Sequence, residues 1–295
     1  MEAGTVCRCA LIRAVIRNAS AADLPRLIEL LQAANNTPYD LGRVAEEKCL
    51  GAGVQGNPEI RVHGEFEGVS VRCGDALRLL AVTPSRRRNG IGTALLEDAR
   101  GRGAKLIGAE AGNYFTPGVL ADDVDTLRFF LANGFAESES TLNLEAEAVA
   151  APMDGVLRAQ HADRERVLRF IEQDFGAMWR FEAAHAFEVE QPTLFYAEAD
   201  GEVVGFAAHD VNNRGLGWFG PTGVRSSLRG KGIGSRLLLA SLADLRRLGH
   251  QRVVIPWTDA VEFYRRACGA QVTHRFIVLR AKVSRKSKSG RRASR

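Results

Sequence analysis

A glycine-rich segment occurs twice in this chain of 295 residues, once in each half. The shared pattern, R-x-x-G-x-G, is formed by Arg87, Gly90 and Gly92 and again by Arg229, Gly232 and Gly234. In each copy an apolar, strand-like run precedes the segment and a helix-like run follows it. Such a turn lets the backbone approach an anion, because glycine has no side chain and the first helical amides are free donors. The sequence therefore predicts two phosphate-binding loops.

A dinucleotide-binding loop is the first alternative for these segments. That loop requires G-x-G-x-x-G and an acidic residue about twenty positions further on. Leu95 and Leu237 stand where the third glycine belongs. The dinucleotide alternative therefore fails in both halves.

The two segments are similar to the acyl-CoA pyrophosphate loop of the GNAT superfamily of N-acyltransferases, repeated in tandem. The resemblance implies a fold of the α+β or α/β class, with two GNAT-like domains in tandem. Each domain would be a mixed, mostly antiparallel twisted sheet flanked by helices. The chain length agrees with two domains of about 150 residues each. We expect an N-terminal domain over 12–147, a C-terminal domain over 155–281 and a disordered basic tail over 282–295.

Hydrophobic periodicity predicts a similar order of elements in the two halves. The first half is expected to open with a strand over 12–16. Each half is then expected to have a helix, short antiparallel strands and the glycine-rich loop. The clearest predicted element is the helix after the second loop, with Leu238, Leu242, Leu245 and Leu248 on one stripe. The first half also has a longer loop, 112–118, for which two alternatives are open, a wall of a pocket or an ordinary surface loop.

Composition limits the compartment and the partners. Net charge is +5, but seven basic residues lie within 282–295 and the remainder is slightly acidic. We therefore expect no nucleic-acid partner. The five cysteines are odd in number and scattered, which argues against a disulfide framework and favours the cytoplasm. We expect no bound metal, and no apolar run is long enough to span a bilayer.

The resemblance implies that the second loop binds the pyrophosphate of acetyl-CoA, while the preceding strand pairs with the pantetheine arm. The corresponding residues are Thr222, Gly223, Val224, Arg229, Gly230, Lys231, Gly232, Ile233, Gly234 and Ser235. The first copy offers Val82, Arg87, Arg88, Asn89, Gly90, Ile91, Gly92 and Thr93. Because Arg88 and Asn89 replace the glycine and lysine of the second copy, we expect weaker CoA binding there, or none.

The resemblance also implies a general acid. Tyr264 matches a family tyrosine that points at the thioester sulfur, whereas the first half has Phe130 at that position. The second domain is therefore predicted to be catalytic and the first degenerate. Tyr264 precedes its glycine by five residues rather than the usual four, which predicts a local difference at the end of the helix.

The general base is left open by the sequence. The candidates are His209 and Asp259, with Asp210, Glu262 and an ordered water as further possibilities. Trp179, Arg180 and Trp257 are candidates for contact with the acceptor, and a core cluster at a helix end is the alternative for Trp179 and Arg180. Stacking on an indole and pairing with a guanidinium are the interactions expected of them.

The predicted function is transfer of an acetyl group from acetyl-CoA to a primary amine of a small molecule, by direct attack in a ternary complex. The alternative of a different class is an acyl-CoA-binding sensor without catalysis. Amino sugars and protein amines are the other acceptors considered.

Overall fold

The computed structural model describes residues 16–151 and 154–282, with thirteen strands and eight α-helices in those ranges. The strands are β1 Ile16–Asn18, β2 Glu59–His63, β3 Gly68–Cys73, β4 Ala76–Val82, β5 Leu106–Ile107, β6 Val119–Leu120, β7 Phe135–Glu147, β8 Leu157–Arg158, β9 Leu194–Ala199, β10 Glu202–His209, β11 Phe219–Val224, β12 Arg252–Thr258 and β13 Gln271–Ala281. The helices are α1 Leu24–Ala34, α2 Leu41–Leu50, α3 Ile91–Gly101, α4 Val124–Ala132, α5 Arg164–Phe175, α6 Ala177–Ala184, α7 Ile233–Arg247 and α8 Val261–Cys268. Residues 12–15 of the predicted first domain, and the predicted tail beyond Lys282, lie outside the described residues.

The first half is an antiparallel meander covered by helices on both faces. Strands β1 to β4 pair in sequence order, and β4 pairs in parallel with β5. Leu27 and Leu31 of α1 pack in the same cluster as Val69 and Val71. On the other side of β3, α3 packs so closely that a Cβ on Gly68 would lie 2.8 Å from Ile91. Because successive side chains point to opposite faces of a strand, the sheet can pack against a helix on each side.

The second half repeats this plan around a four-stranded sheet, β11-β10-β9-β8. Phe195 on β9 joins a cluster with Leu238 and Leu242 of α7. The neighbouring Tyr196 joins a cluster with Leu168 of α5 on the opposite face. The predicted stripe of α7 is confirmed for Leu238, Leu242 and Leu245, which are fully buried, but Leu248 is 43% exposed because the helix ends before it.

The closing strands cross between the halves, which the sequence did not predict. Strand β13 lies between β5 and β7, and β7 lies between β13 and β12. Each half therefore places its last strand among strands of the other half. The result is one sheet that contains strands of both halves, with β1 at one edge and β12 at the other.

A gap opens between β11 and β12. The two strands are joined by a parallel bridge between Trp218 and Val254, where the Val254 amide donates to the Gly217 carbonyl at 2.9 Å. Beyond this bridge the strands diverge, and β11 forms the edge of its sheet. An open strand edge beside a gap is a position where a ligand can be held by backbone groups.

Two helices were not predicted. Asp40 caps α2 by accepting a hydrogen bond from the Arg43 amide at 3.1 Å. Helix α6 follows α5 after a turn at Gly176, which has a φ of 96°. Neither has a wide apolar stripe, because charged Lys48 and Glu182 lie on their inner faces. Tertiary contacts therefore determine where α2 and α6 form.

The shared sheet makes Phe276 on β13 a test of the strand exchange. Phe276 is fully buried in the core of the first half, although it lies near the end of the chain. Phe276→Ala should lower the free energy of unfolding by about 3–5 kcal/mol, because it leaves a large cavity. Urea denaturation measures this loss. Val272→Ala, on the same strand but 47% exposed, should change stability by less than about 0.5 kcal/mol. Equal effects from both variants would contradict the exchanged arrangement.

Candidate functional site

The predicted loop in the second half is an exposed turn that leads into α7. Gly230 and Gly232 both have a φ of 79°, in the left-handed region that glycine adopts without strain. A Cβ on Gly230 would meet nothing within 4 Å, so the space above the turn is open. Gly232 is the N-cap of α7, and the first amides of that helix follow directly. The turn therefore presents free donors at the positive end of a helix dipole.

The arginine of the repeated pattern has a structural part in both loops. Arg229 Nε donates to the Val224 carbonyl at 3.2 Å, and Arg87 Nε donates to the Val82 carbonyl at 3.2 Å. Each arginine thus ties the loop to the end of the preceding strand. That these side chains also contact the pyrophosphate stays a prediction, because the bonds to Val224 and Val82 use only their Nε atoms.

Two other cations lie at the second loop. Lys231 and Arg236 are exposed and have no hydrogen-bond or ion-pair partner in the described ranges. Arg236 Nη1 would lie 3.4 Å from a Cβ on Gly232, so its guanidinium is beside the turn. Arg236 is not among the predicted phosphate-binding residues. Its counterpart in the first copy is Ala94, which carries no charge.

The first loop has the same bend with less suitable residues. Arg88 occupies the position of Gly230 and has a φ of 65°, which is unfavourable for a residue with a side chain. The side chain of Asn89 donates to the Arg86 carbonyl at 3.3 Å instead of facing outward as a cation. The two copies therefore differ where the sequence predicted that they would.

A cavity of about 470 Å³ lies in the gap between β11 and β12. Its walls include Gly220 to Thr222 on β11, Trp257 and Asp259 after the bend of β12, and Tyr264 on α8. The strand that leads into the loop therefore also borders the cavity. Gly112 and Tyr114 of the first half line it too, so the pocket-wall alternative for 112–118 is confirmed.

Tyr264 is 7% exposed and borders the cavity. Its ring packs edge-on against Phe219 and Phe263, with centroids 6.1 Å and 4.9 Å away. Burial raises the pKa of Tyr264 well above its ordinary value, so the hydroxyl remains a proton donor at neutral pH. Helix α8 ends at Cys268, and Gly269 follows in the left-handed region with a φ of 69°.

The structure corrects the prediction of His209 as a base. His209 is fully buried, outside the cavity lining, and its Nε2 lies 2.8 Å from a carboxylate oxygen of Asp244. Desolvation lowers the pKa of His209, and the contact with Asp244 opposes that effect. Its ring packs against Phe195 in the core, so it is positioned for stability. Asp259, by contrast, lines the cavity and is exposed to solvent.

Two of the three predicted acceptor residues lie at the cavity. Trp179 stacks on Phe175, and Trp257 packs edge-on against Tyr114 at 5.0 Å. Arg180 does not line the cavity, because its guanidinium turns toward Glu172 on α5, 3.3 Å away. That prediction is corrected.

A carboxylate that the sequence analysis did not single out lines the cavity. Glu182 lies on α6, and burial raises its pKa to about 7, while the positive charge of Lys48 opposes the shift. Solvent reaches part of the side chain through the cavity. Helix α6 was not predicted, so no periodicity placed Glu182 on a particular face.

The equivalent cleft of the first half is much smaller, with a volume of about 120 Å³. Phe130 lines it at the position of Tyr264, and Arg78 lines it at the position of Gly220. The Arg78 guanidinium forms an ion pair with Glu110, 2.5 Å from Nε, and both residues are buried. The first cleft therefore has an arginine in its lining where the second has a glycine.

Comparison with known families now adds to this geometry. Residues 160–270 match the sequence model of the Acetyltransferase (GNAT) family. This part of the chain is a GNAT domain. The match spans α5 to α8, including the second loop and Tyr264. A search of curated proteins gives no significant match.

Several solved structures share the GNAT fold over most of this chain. A glucosamine N-acetyltransferase region of a fungal multi-domain GH3 β-N-acetylglucosaminidase is similar with a TM-score of 0.73 and 18% identity. The alignment covers 90% of this chain and 38% of that protein. A GCN5-related N-acetyltransferase from Sphaerobacter thermophilus has a TM-score of 0.64 and 20% identity, over 90% and 94% of the two chains.

A tandem GNAT protein from the clavulanic acid biosynthesis pathway is similar over both halves. Its TM-score is 0.63 at 17% identity, and the alignment covers 90% of this chain and 97% of that one. The predicted tandem GNAT fold is therefore confirmed. Among the residues with described structure, no helix is long and apolar enough to cross a bilayer.

Proposed function

We propose that the second GNAT domain transfers an acetyl group from acetyl-CoA to a primary amine of a small molecule, by direct attack in a ternary complex. The observation that carries this proposal is that one strand, β11, joins an exposed anion-binding turn to a cavity bordered by Tyr264. An anchored donor, a proton donor and space for an acceptor are the minimum for such a reaction.

The residues present fit acetyl-CoA. The free amides after Gly232 and the charges of Lys231 and Arg236 suit its phosphates. The open edge of β11 at Thr222 to Val224 suits hydrogen bonds to the amides of the pantetheine arm. Gly223 is needed there, because a Cβ would lie 2.5 Å from the ring of Phe175. Bound acetyl-CoA supplies the activated acetyl thioester.

The chain's own residues then have distinct tasks. Tyr264 donates a proton to the departing thiolate, because its hydroxyl is protonated and borders the cavity. Trp179 and Trp257 enclose the acceptor and reduce access of water that would hydrolyse the thioester. Orientation of the amine by these walls lowers the entropy cost of the attack.

A cavity of about 470 Å³ with aromatic walls fits a small acceptor better than a protein surface. One structurally similar protein is a glucosamine N-acetyltransferase, which makes an amino sugar the first acceptor to test. The cleft of the first half has a volume of only about 120 Å³, which leaves little room for a substrate. We assign that half a supporting role.

We further propose domain limits of 12–147 and 155–281 along the chain, and a cytoplasmic location. The described cysteines Cys49, Cys73 and Cys268 are free thiols, which suits a reducing compartment. We expect no resident metal.

Thiol release from acetyl-CoA tests the function directly. Glucosamine, polyamines, amino acids and aminoglycosides would be offered separately, with acetylated product confirmed by mass spectrometry. We expect release above the solvent rate with at least one amine. Tight CoA binding without release for any amine would instead support the acyl-CoA sensor, and transfer to peptide amines alone would support a protein-modifying enzyme.

Gly232→Ala tests the placement of CoA at the second loop. The new side chain is strained at a φ of 79° and lies over the turn, so CoA should bind at least about tenfold more weakly, or about 1.4 kcal/mol. Calorimetry measures the affinity. Gly249→Ala is the control, because Gly249 is left-handed at the other end of α7. Gly90→Ala should also leave the affinity unchanged, and weaker binding in that variant would move the site to the first half.

Tyr264→Phe tests the general acid. Removal of the hydroxyl should lower kcat by about a hundredfold and leave CoA affinity within about twofold. Steady-state kinetics and calorimetry separate the two effects. Tyr196→Phe is the control, because that hydroxyl accepts from Arg166 outside the cavity lining. A kcat for Tyr264→Phe equal to that of the control would remove Tyr264 from the mechanism.

A further inference from the structure

Two carboxylates line the cavity of the second half, and they differ in environment. Asp259 is exposed to solvent and follows the end of β12. Glu182 projects from α6 and is surrounded by residues of both halves. A base that removes a proton from an amine inside the cavity must itself face the cavity. Glu182 meets that requirement and is more buried than Asp259.

The positive charge that acts on Glu182 belongs to Lys48, whose ammonium already has hydrogen-bond partners. Lys48 of α2 is fully buried, and its ammonium donates to Glu47 at 2.6 Å, to Asn113 at 2.8 Å and to Asn212 at 2.5 Å. An ammonium group has three donors, so none is left for Glu182. Glu182 has no hydrogen-bond or ion-pair partner of its own in the described ranges. The Glu182 carboxylate is therefore free to contact a group bound in the cavity.

The charged groups around Glu182 come from several elements. Lys48 and Glu47 lie on α2, and Tyr114 lies on the loop from the first half. His185, just after α6, is influenced by the same Lys48 and Glu47 charges. Burial is the main cause that raises the pKa of Glu182 to about 7, Lys48 lowers it, and Glu47 raises it further. The carboxylate is therefore a stronger base than a solvated glutamate, yet still available at neutral pH.

We infer that Glu182 is the general base of this acetyl transfer, taking the proton that the acceptor nitrogen loses. This inference rests on the proposed function of the second domain. The nitrogen lone pair forms the new bond to the acetyl carbon, the carbon–sulfur bond breaks, and the sulfur takes the proton of Tyr264. The proton from nitrogen goes to the Glu182 carboxylate, directly or through one water. Afterwards Glu182 loses this proton to solvent and Tyr264 regains one, so the enzyme returns to its starting state.

The test compares Glu182→Gln with Asp259→Asn, using acetyl-CoA and an amine that the wild-type protein acetylates. Glu182→Gln keeps the shape of the side chain, so CoA affinity and thermal unfolding should match wild type. We expect kcat/KM to fall by about 10²–10⁴-fold, the usual contribution of a general base. In wild type, kcat/KM should rise with pH through a break near 7, because only the carboxylate accepts a proton. That break should vanish in Glu182→Gln and persist in Asp259→Asn.

The possible outcomes separate this inference from the function it rests on. If wild type is active and Glu182→Gln keeps both its rate and the break near pH 7, Glu182 is not the base. A loss of rate with the break retained assigns Glu182 to positioning the acceptor, which also overturns the inference. If wild type binds CoA but acetylates no amine in the panel, the proposed function fails. The inference then fails with it.

Discussion

The pairing of β7 with β13 is the interaction on which the rest of the structure depends. Each strand closes the sheet of the opposite half, so the two repeats share one hydrogen-bonded framework. This arrangement fixes the position of β12 relative to β11, because β12 is held by β7 while β11 belongs to the other sheet. The gap between β11 and β12 is the cavity. A site in the second half therefore depends on strand pairing with the first.

The first half contributes directly to that site. Tyr114 lines the cavity. The Glu47 carboxylate accepts hydrogen bonds from the backbone amides of Asn213 and Arg214, each at 2.9 Å. These bonds fix the segment that leads to β11. Lys48 adds a buried positive charge close to Glu182. The first half, whose own cleft is smaller, thus contributes a charge that acts on a residue in the cavity of the second.

Small differences at matched positions separate the two copies. Arg78 lines the first cleft at the position where Gly220 lines the second. Phe130 lacks the hydroxyl that Tyr264 carries. The guanidinium of Arg78 is held in a buried ion pair with Glu110. Such a pair is costly to break from one side, because the remaining charge would be left without a partner.

The sequence by itself determined the repeat, the tandem GNAT fold, the glycine-rich turns and the place of Tyr264 at the cavity, because local spacing and backbone requirements are written in consecutive residues. Tertiary structure decided the exchange of β7 and β13, the burial of His209 against Asp244 and the exposure of Glu182 to the cavity. Strand partners far apart in the chain, and the desolvation of a carboxylate by residues from another half, depend on packing that no local pattern encodes.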